Sequence, residues 1–419
     1  MSTKHSKAAA EFLKNKKQAA WHDETLWLVR AKRDRLSKEV PEWEELRNMA
    51  CATKLYSNSH LDELLVEFEN NARANGAHVY WAKDADEYCN IVYNILNQHG
   101  VKHFIKSKSM LAEECELNPF LENKGIEVVE SDLGERILQL MHLKPSHIVL
   151  PAIHIKREQV GELFEREMGT EKGNFDPTYL THAARKNLRQ KFIHAEAAMT
   201  GANFAVASTG EIVVCTNEGN ADMGTSQPKL QIAAFGMEKI VPDRESLGVF
   251  TRLLARSATG QPITTYTSHY RKPREGGELH IIIVDNGRSK ILADQKHIKT
   301  LNCIRCGACM NTCPVYRRSG GYSYTYFIPG PIGINLGMLK APLHYYDNVS
   351  ACSLCYSCSF VCPAKVDLAE QIYLWRQDLD KLGKADRMKR VMSGGMEFMM
   401  NRPLIFLSLI HISEPTRPY

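Results

Sequence analysis

Long apolar runs are absent from this chain. No uninterrupted hydrophobic stretch in its 419 residues approaches the ~18 that a membrane-spanning helix needs. The opening, MSTKHSKAAAEFLKNKKQAA, also lacks the apolar segment of an export signal, so a cytoplasmic protein without a transmembrane segment is expected. The short signatures of self-contained nucleotide or hydrolase chemistry are missing too. There is no G-x-G-x-x-G after a strand, no G-x-x-x-x-G-K-[ST], no G-x-S-x-G and no H-E-x-x-H. This argues against a chain that carries its own NAD or ATP site and against a serine hydrolase. His194-Ala-Glu196 supplies half of a zinc-deaminase signature, but the P-C-x-x-C that completes it does not follow. A strong charge bias is also lacking: 53 Lys and Arg against 48 Asp and Glu give +5, too mild a surplus to imply a nucleic-acid partner.

What the chain does have is ordered cysteine. Of twelve cysteines, only Cys51, Cys89, Cys115 and Cys215 are scattered, as plain thiols of a reducing compartment would be. The rest form one phrase written twice: Cys303-x-x-Cys306-x-x-Cys309-x-x-x-Cys313-Pro314 and Cys352-x-x-Cys355-x-x-Cys358-x-x-x-Cys362-Pro363. Three thiolates at this spacing close over three corners of an iron-sulfur cube, and a fourth followed by proline serves the other cube. The expected ligand sets are therefore Cys303, Cys306, Cys309 and Cys362 for one [4Fe-4S] cluster, and Cys352, Cys355, Cys358 and Cys313 for the second. Structural zinc uses two pairs of ligands and has no need of a third evenly spaced cysteine or of the C-P ending. Gly307 in the first run faces Tyr356 in the second, an asymmetry that can set different potentials.

The length allows two or three domains, and 44% hydrophobic with 24% charged residues is ordinary for a globular protein. Residues 1–75 read as a helical arm, with helical apolar spacing over 5–36 and 42–70. Its first 36 residues hold nine Lys or Arg against four Asp or Glu, the pattern of a solvated basic helix, with docking to an acidic partner as the alternative. From residue 76 to about 290 short apolar runs alternate with capped helices. Strands are expected at His78–Trp81, Val101–Lys106, Ile126–Glu130, His147–Leu150, Phe204–Ala207, Ile212–Cys215, Ile263–Thr267 and His280–Val284, with Asp84 capping a helix that ends at Gly100. This rhythm predicts a parallel sheet covered by helices, with a ligand crevice at the carboxyl ends of its strands. Turns at Ser208, Thr209 and Gly210, and at Gly219 and Asn220, are candidate anion or substrate sites. Glu218 and Arg256 are the charged groups nearest them in the pattern and the candidate catalytic residues. The Gly- and Pro-rich linker between the cysteine runs should be loop rather than sheet, and Asp367 with Glu370 opens a helix after the second run.

The stretches TGANFAVASTGEIVVCTNEGNAD, RSATGQPITTYTS and VDNGR, followed by the two cysteine phrases, resemble the lactate-utilisation iron-sulfur protein B family from about residue 40 to 395. The resemblance implies a fold of class α/β: a three-layer α/β/α lactate-utilisation (LUD) domain, related to the sugar-isomerase and CoA-transferase folds, over 76–290. An all-α ferredoxin module with two [4Fe-4S] clusters would follow over 291–395. It further implies oxidation of L-lactate to pyruvate together with two companion proteins, a cysteine-rich-domain subunit and a lone LUD-domain subunit, this chain passing electrons to an acceptor. An isomerase or CoA-transferase-like enzyme with regulatory clusters is the alternative. Residues 396–419 are set apart as a tail: family members carry a third segment there, whereas LSLIHISEPTRPY, from Leu407 to Tyr419, resembles translated sequencing adapter.

Overall fold

The computed structural model describes residues 4–384, 387–405 and 408. Most of the adapter-like stretch, Leu407 and residues 409–419, lies outside the described residues. The chain divides into two compact units, Met1–Ile372 and Tyr373–Tyr419. The second unit contains the helix Arg387–Met400, with Arg390 bonded to Asp380 at 2.9 Å.

The first unit is built on ten strands: β1 (His78–Ala82), β2 (His103–Lys106), β3 (Glu127–Glu130), β4 (Ala197–Gly201), β5 (Phe204–Val206), β6 (Glu211–Thr216), β7 (Leu230–Gly236), β8 (Ile240–Val241), β9 (Tyr266–Tyr270) and β10 (Glu278–Val284). Six of them form a wholly parallel sheet in the order β1-β10-β7-β4-β2-β3. A parallel sheet is covered on both faces, so its strands read as continuous apolar runs. In β10 every residue from Leu279 to Val284 is buried, and β7 is buried throughout.

Alternate residues go to opposite faces. Ile282, Val284, Ala234 and Phe104 meet the helix Ala85–Gln98 through Tyr88, Val92 and Ile95. Ile281, Ile283 and Phe235 meet the helix Leu61–Ala74 and residues of the smaller sheet β8-β5-β6-β9, such as Ala205 and Ile212. Phe68 and Phe235 pack edge to face, with centroids 5.1 Å apart. Truncating either ring to alanine is a change of about 3–5 kcal/mol.

Side-chain oxygens stop and start the helices as the sequence requires. Asp84 accepts from Glu87 N at 2.9 Å and Asp243 from Ser246 N at 2.7 Å, satisfying amides that have no partner inside the helix. The observed architecture is thus mixed α/β around a parallel sheet, with many helices.

Four expectations differ from the structure. His147–Leu150 is not a strand, because the buried His147 ring accepts the Val149 and Leu150 amides at Nδ1, both at 3.0 Å, and curls the segment into a turn. The strand expected over Ile263–Thr267 begins at Tyr266. The linker between the cysteine runs is irregular only to Pro329; from Gly330 to Lys340 it is helical, with proline in the first turn, where a missing N–H costs nothing. The basic N-terminal arm is not simply a solvated face. Its helix Lys16–Lys38 packs on the cysteine segment, where His22 Nδ1 meets the Arg317 carbonyl at 2.9 Å and Arg33 donates to the Val361 carbonyl at 3.0 Å.

Candidate functional site

The two cysteine runs fold alike. Each puts residues in the left-handed region at matching places, Arg305 (φ 60°) and Gly307 (φ 76°) in the first, Leu354 (φ 52°) and Tyr356 (φ 60°) in the second. The bends turn backbone amides onto sulfur: Arg305 N lies 3.4 Å from Cys303 Sγ and Leu354 N lies 3.3 Å from Cys352 Sγ. Short helices Ala308–Thr312 and Ser357–Val361 then carry Cys309 and Cys358. Cys313 and Cys362 follow them, receiving Tyr316 N at 3.5 Å and Val366 N at 3.4 Å. Helices this short leave their last carbonyls open. Arginines of the N-terminal helices close them, Arg30 donating to the Thr312 carbonyl at 3.5 Å at the end of the first and Arg33 and Arg47 donating to the Val361 and Phe360 carbonyls at the end of the second.

A narrow cleft is lined by Cys303, Cys306, Cys309 and Cys362, with Ile332, Val366 and Leu368 as its apolar walls. Burial pushes the Cys306 thiol up to about 12, and the nearness of Cys362 and Cys303 adds to it. Cys362 is pushed to about 11 by burial, with Cys303 as its thiol neighbour. Cys313, though part of the first run in sequence, is pushed to about 11 by burial and by Cys352 and Cys355. Cys358 is raised by burial and then by Cys313, Cys352 and Cys355. Buried thiols crowded in this way ionise only around a cationic centre, and the amide donors favour the thiolate once formed. The donor set therefore suits iron-sulfur clusters. The surroundings are unequal: Cys306, Cys309 and Cys362 are buried, whereas Cys355 is exposed.

A second, larger cavity adjoins the first cysteine group. It opens at the carboxyl edge of the parallel sheet, and its wall includes Ser107 after β2, Asn203 after β4, Lys239 after β7, and Arg288, Arg305 and Cys306. Its floor is a buried ion network. Arg288 donates to Glu114 at 3.1 and 2.9 Å, to Glu238 at 2.5 Å and to the Asp285 carbonyl at 3.0 Å. Gly236 makes room for it, since a Cβ there would collide with Arg288 Nε and Glu238 Oε2. Burial works to raise the Glu238 carboxyl, but Arg288, Lys239 and Arg305 outweigh it and hold the group down to about 2. Burial lowers Lys239 to about 8 against the pull of Glu238.

Of the catalytic and anion-site candidates singled out in the α/β domain, Glu218 and Asn220 line this cavity. Glu218 is exposed at its rim, its only hydrogen bond among the described residues being from Asn217 N at 3.2 Å, and Asn220 donates to Ser131 Oγ at 3.2 Å. Gly219, with φ 68°, starts the helix Asn220–Ser226 beside them. The structure does not bring Arg256 there: it donates to the Leu36 carbonyl at 2.9 Å. The turn at Ser208, Thr209 and Gly210 is also elsewhere, packed on the helix Leu61–Ala74. Its Ser208 and Gly210 amides already donate to the Pro242 and Val206 carbonyls, at 3.0 and 2.9 Å. Lys239, Arg288 and Arg305 went unnoticed in the sequence. The available signal was a basic residue inside the first cysteine run where the second has Leu354. At the opposite edge of the sheet, His280 and His99 gather on Glu278 at 2.9 and 3.3 Å, and His78 stacks on His280.

Comparison with known proteins agrees with both halves of this arrangement. The LUD domain family matches residues 65–291, and the 4Fe-4S dicluster domain family matches residues 299–366. Lactate utilization protein B of Geobacillus thermodenitrificans is 43% identical over 357 residues, 83% of this chain and 75% of that protein. The protein of the same name from Bacillus pumilus is 44% identical over 359 residues, 84% of this chain and 76% of that one. An uncharacterized electron transport protein of Escherichia coli, YkgF, is 41% identical over 362 residues, covering 85% and 76%. A crystal structure of a DUF162 family protein from Deinococcus radiodurans superposes with a TM-score of 0.31 at 16% identity, covering 54% of this chain and 98% of that one. On the family matches and on these identities over most of its length, the chain belongs to the lactate utilization protein B family, joining a LUD domain to a 4Fe-4S dicluster domain.

Proposed function

We propose that the chain is the iron-sulfur electron-transfer subunit of a cytoplasmic system that oxidises L-lactate to pyruvate. It would work with two companions, one with a cysteine-rich domain and one a lone LUD domain. The observation that carries the reading is a shared wall: Cys306 lines both the cleft of the first thiol group and the cavity at the sheet's carboxyl edge. A substrate in that cavity stands beside a cluster ligand. The relatives' names supply the lactate and the electron transport.

In this proposal the arm 1–75 and the LUD domain 76–290 precede an all-α ferredoxin module, 291–395. Cys303, Cys306, Cys309 and Cys362 hold one [4Fe-4S] cluster, and Cys313, Cys352, Cys355 and Cys358 the other. Bound clusters accept and pass single electrons, and lactate releases two on becoming pyruvate, so a pair of such centres matches the reaction. The two hydrogens lost are the hydroxyl proton and the hydrogen on the carbinol carbon. Glu218 at the cavity rim is the carboxylate available to take a proton. Taking the carbon-bound hydrogen as hydride needs an acceptor, and without a dinucleotide fingerprint in this chain that role falls to a companion.

The test is an anaerobic mixture of the cluster-loaded chain with both companions. L-Lactate should bleach the cluster absorbance in the mixture and leave the isolated chain unchanged. No bleaching in the mixture overturns the proposal, and full bleaching of the isolated chain makes its α/β domain the complete dehydrogenase.

One observation favours a second reading. Glu218 is exposed on the cavity wall and has no ion-pair partner among the described residues, as a nucleophile or acid-base group of an isomerase or CoA-transferase-like enzyme would be. Exchange of labelled carboxylate into an acyl-CoA, abolished by Glu218→Gln with clusters intact, would select it.

A further inference from the structure

We infer that the cavity beside Cys306 binds a small organic monocarboxylate, with the Lys239 ammonium and the Arg305 guanidinium receiving its carboxylate. The inference rests on the proposed function only for which carboxylate is the natural one.

Four cationic side chains line the cavity, and their engagements differ. Arg288 is fully occupied by Glu114, Glu238 and the Asp285 carbonyl. Lys108 donates to the Val149 carbonyl at 3.1 Å. Lys239 makes no hydrogen bond or ion pair among the described residues although it lines the cavity. Arg305 touches Glu238 only at 3.8 Å through Nη2, and its Nη1 is buried with no hydrogen-bond partner. A buried guanidinium nitrogen without an acceptor is costly to leave as it is, and a bound carboxylate repairs it. A further unpartnered polar atom belongs to the same wall: Ser107 Oγ is buried without a hydrogen bond.

Charge sets the valency of the ligand. Around Arg288 the ion network sets three cations, Arg288, Arg305 and Lys239, against two carboxylates, Glu114 and Glu238, while the rest of the wall adds Lys108 against Asp132 and Glu218. The Glu238 carboxylate stands beside Arg305, so a second negative charge on the ligand meets repulsion. That favours a carboxylate over a phosphate dianion. The remaining wall suits an organic body: Ala202, Val214, Phe235, Leu254 and Ala258 are apolar, and Asn203 and Thr216 add polar atoms. Arg305 lies between cluster ligands Cys303 and Cys306 in sequence, so a carboxylate held by it is tied directly to the first cluster loop.

The same cations also face Cys303, and the competing account is that they only offset cluster charge. The experiment separates the two. Cluster-loaded protein, its iron content checked, is titrated anaerobically with L-lactate, propionate and inorganic phosphate by calorimetry, and the potential of the first cluster is measured in parallel. Lys239→Met and Arg305→Gln should each weaken carboxylate binding on the order of 10- to 100-fold. Arg305→Lys should recover part of the loss, and phosphate should bind far more weakly than the carboxylates. The inference is overturned if phosphate binds as well as the carboxylates. It is equally overturned if the variants shift the potential and leave carboxylate affinity unchanged. Carboxylate binding that depends on Lys239, in a protein that never supports lactate oxidation with its companions, keeps this site and removes the lactate reading. Lactate oxidation insensitive to both substitutions does the reverse.

Discussion

Arg47 and Cys362 are joined twice: the guanidinium donates to the Cys362 carbonyl from Nε at 3.0 Å and from Nη2 at 2.9 Å, and Nη2 also reaches the Phe360 carbonyl at 2.8 Å. A helix near the N-terminus thus holds the last cysteine of the chain's second run. Two carbonyls at the end of the short helix Ser357–Val361 depend on one side chain that is itself buried.

Replacing Arg47 by alanine should therefore loosen the Cys362 segment. The expected cost is about 1–3 kcal/mol, because buried carbonyls lose a charged donor. Thermal unfolding of the cluster-loaded protein and its iron content after anaerobic dialysis report this. The alanine variant should lose iron faster, and Arg47→Lys should fall between. Identical unfolding and iron retention would show that the N-terminal helices do not support the cysteine segment.

The Arg288–Glu238 pair gives stability a pH signature. Burial alone would raise the Glu238 carboxyl, yet its cationic neighbours take it from the ordinary 4.5 to about 2. A carboxyl depressed in the folded state stabilises it fully above its unfolded value, and that contribution disappears as pH falls toward the folded one. Wild type should thus lose stability more steeply than Glu238→Gln between pH 4.5 and about 2. At neutral pH the substitution should cost about 3–5 kcal/mol, since it leaves Arg288 short of a counter-charge. Comparing the two proteins cancels acid loss of iron, which affects both. Parallel pH profiles would refute the network's role.

How far the sequence could be read follows the same physics. The cysteine phrases were plain because their spacing is itself the ligand geometry. Strands β1 and β10 stood out as apolar runs, but β4 and β7, at the centre of the sheet, did not. AAMTG is mostly small residues, and LQIAAFG interrupts its apolar run with Gln231 and the small Ala233, Ala234 and Gly236, the last set by the Arg288 pair beside it, which only the folded sheet reveals. The segment His147–Leu150 carries a strand-like composition, and one ring nitrogen that accepts two amides decides otherwise. In the site, Glu218 and Asn220 sit on a Gly-marked turn and were found. Lys239 and Arg305 are single basic residues in separate segments of the chain, with no spacing that ties one to the other.

Glu218→Gln should lower lactate-driven cluster reduction in the complete system by ~10²-fold or more, with iron content unchanged. The carboxylate lines the cavity, is exposed and has no salt bridge among the described residues, so the amide removes proton-accepting ability and little else. Stopped-flow bleaching with saturating lactate measures the effect. An unaltered rate would return Glu218 to the role of a surface turn residue.

The crossed pairing of the cysteine runs makes a prediction in which the two fourth cysteines trade places. Fully loaded protein should hold about eight irons per chain, four in each cube. Cys306, Cys309 and Cys362 are buried, while Cys355 is exposed, so the two centres should differ in their rate of loss in air, the one that includes Cys355 going first. Cys313 belongs by sequence to the first run, but its thiol neighbours are Cys352 and Cys355, and Cys362 lines the cleft of Cys303, Cys306 and Cys309. Cys313→Ala should therefore remove the air-sensitive centre and spare the slow one. Cys362→Ala should remove the slow one, although it lies in the run that contains Cys355. Iron content with the time course of visible bleaching distinguishes the two variants. If Cys313→Ala instead removes the slow centre, each run serves its own cluster and the crossed assignment fails.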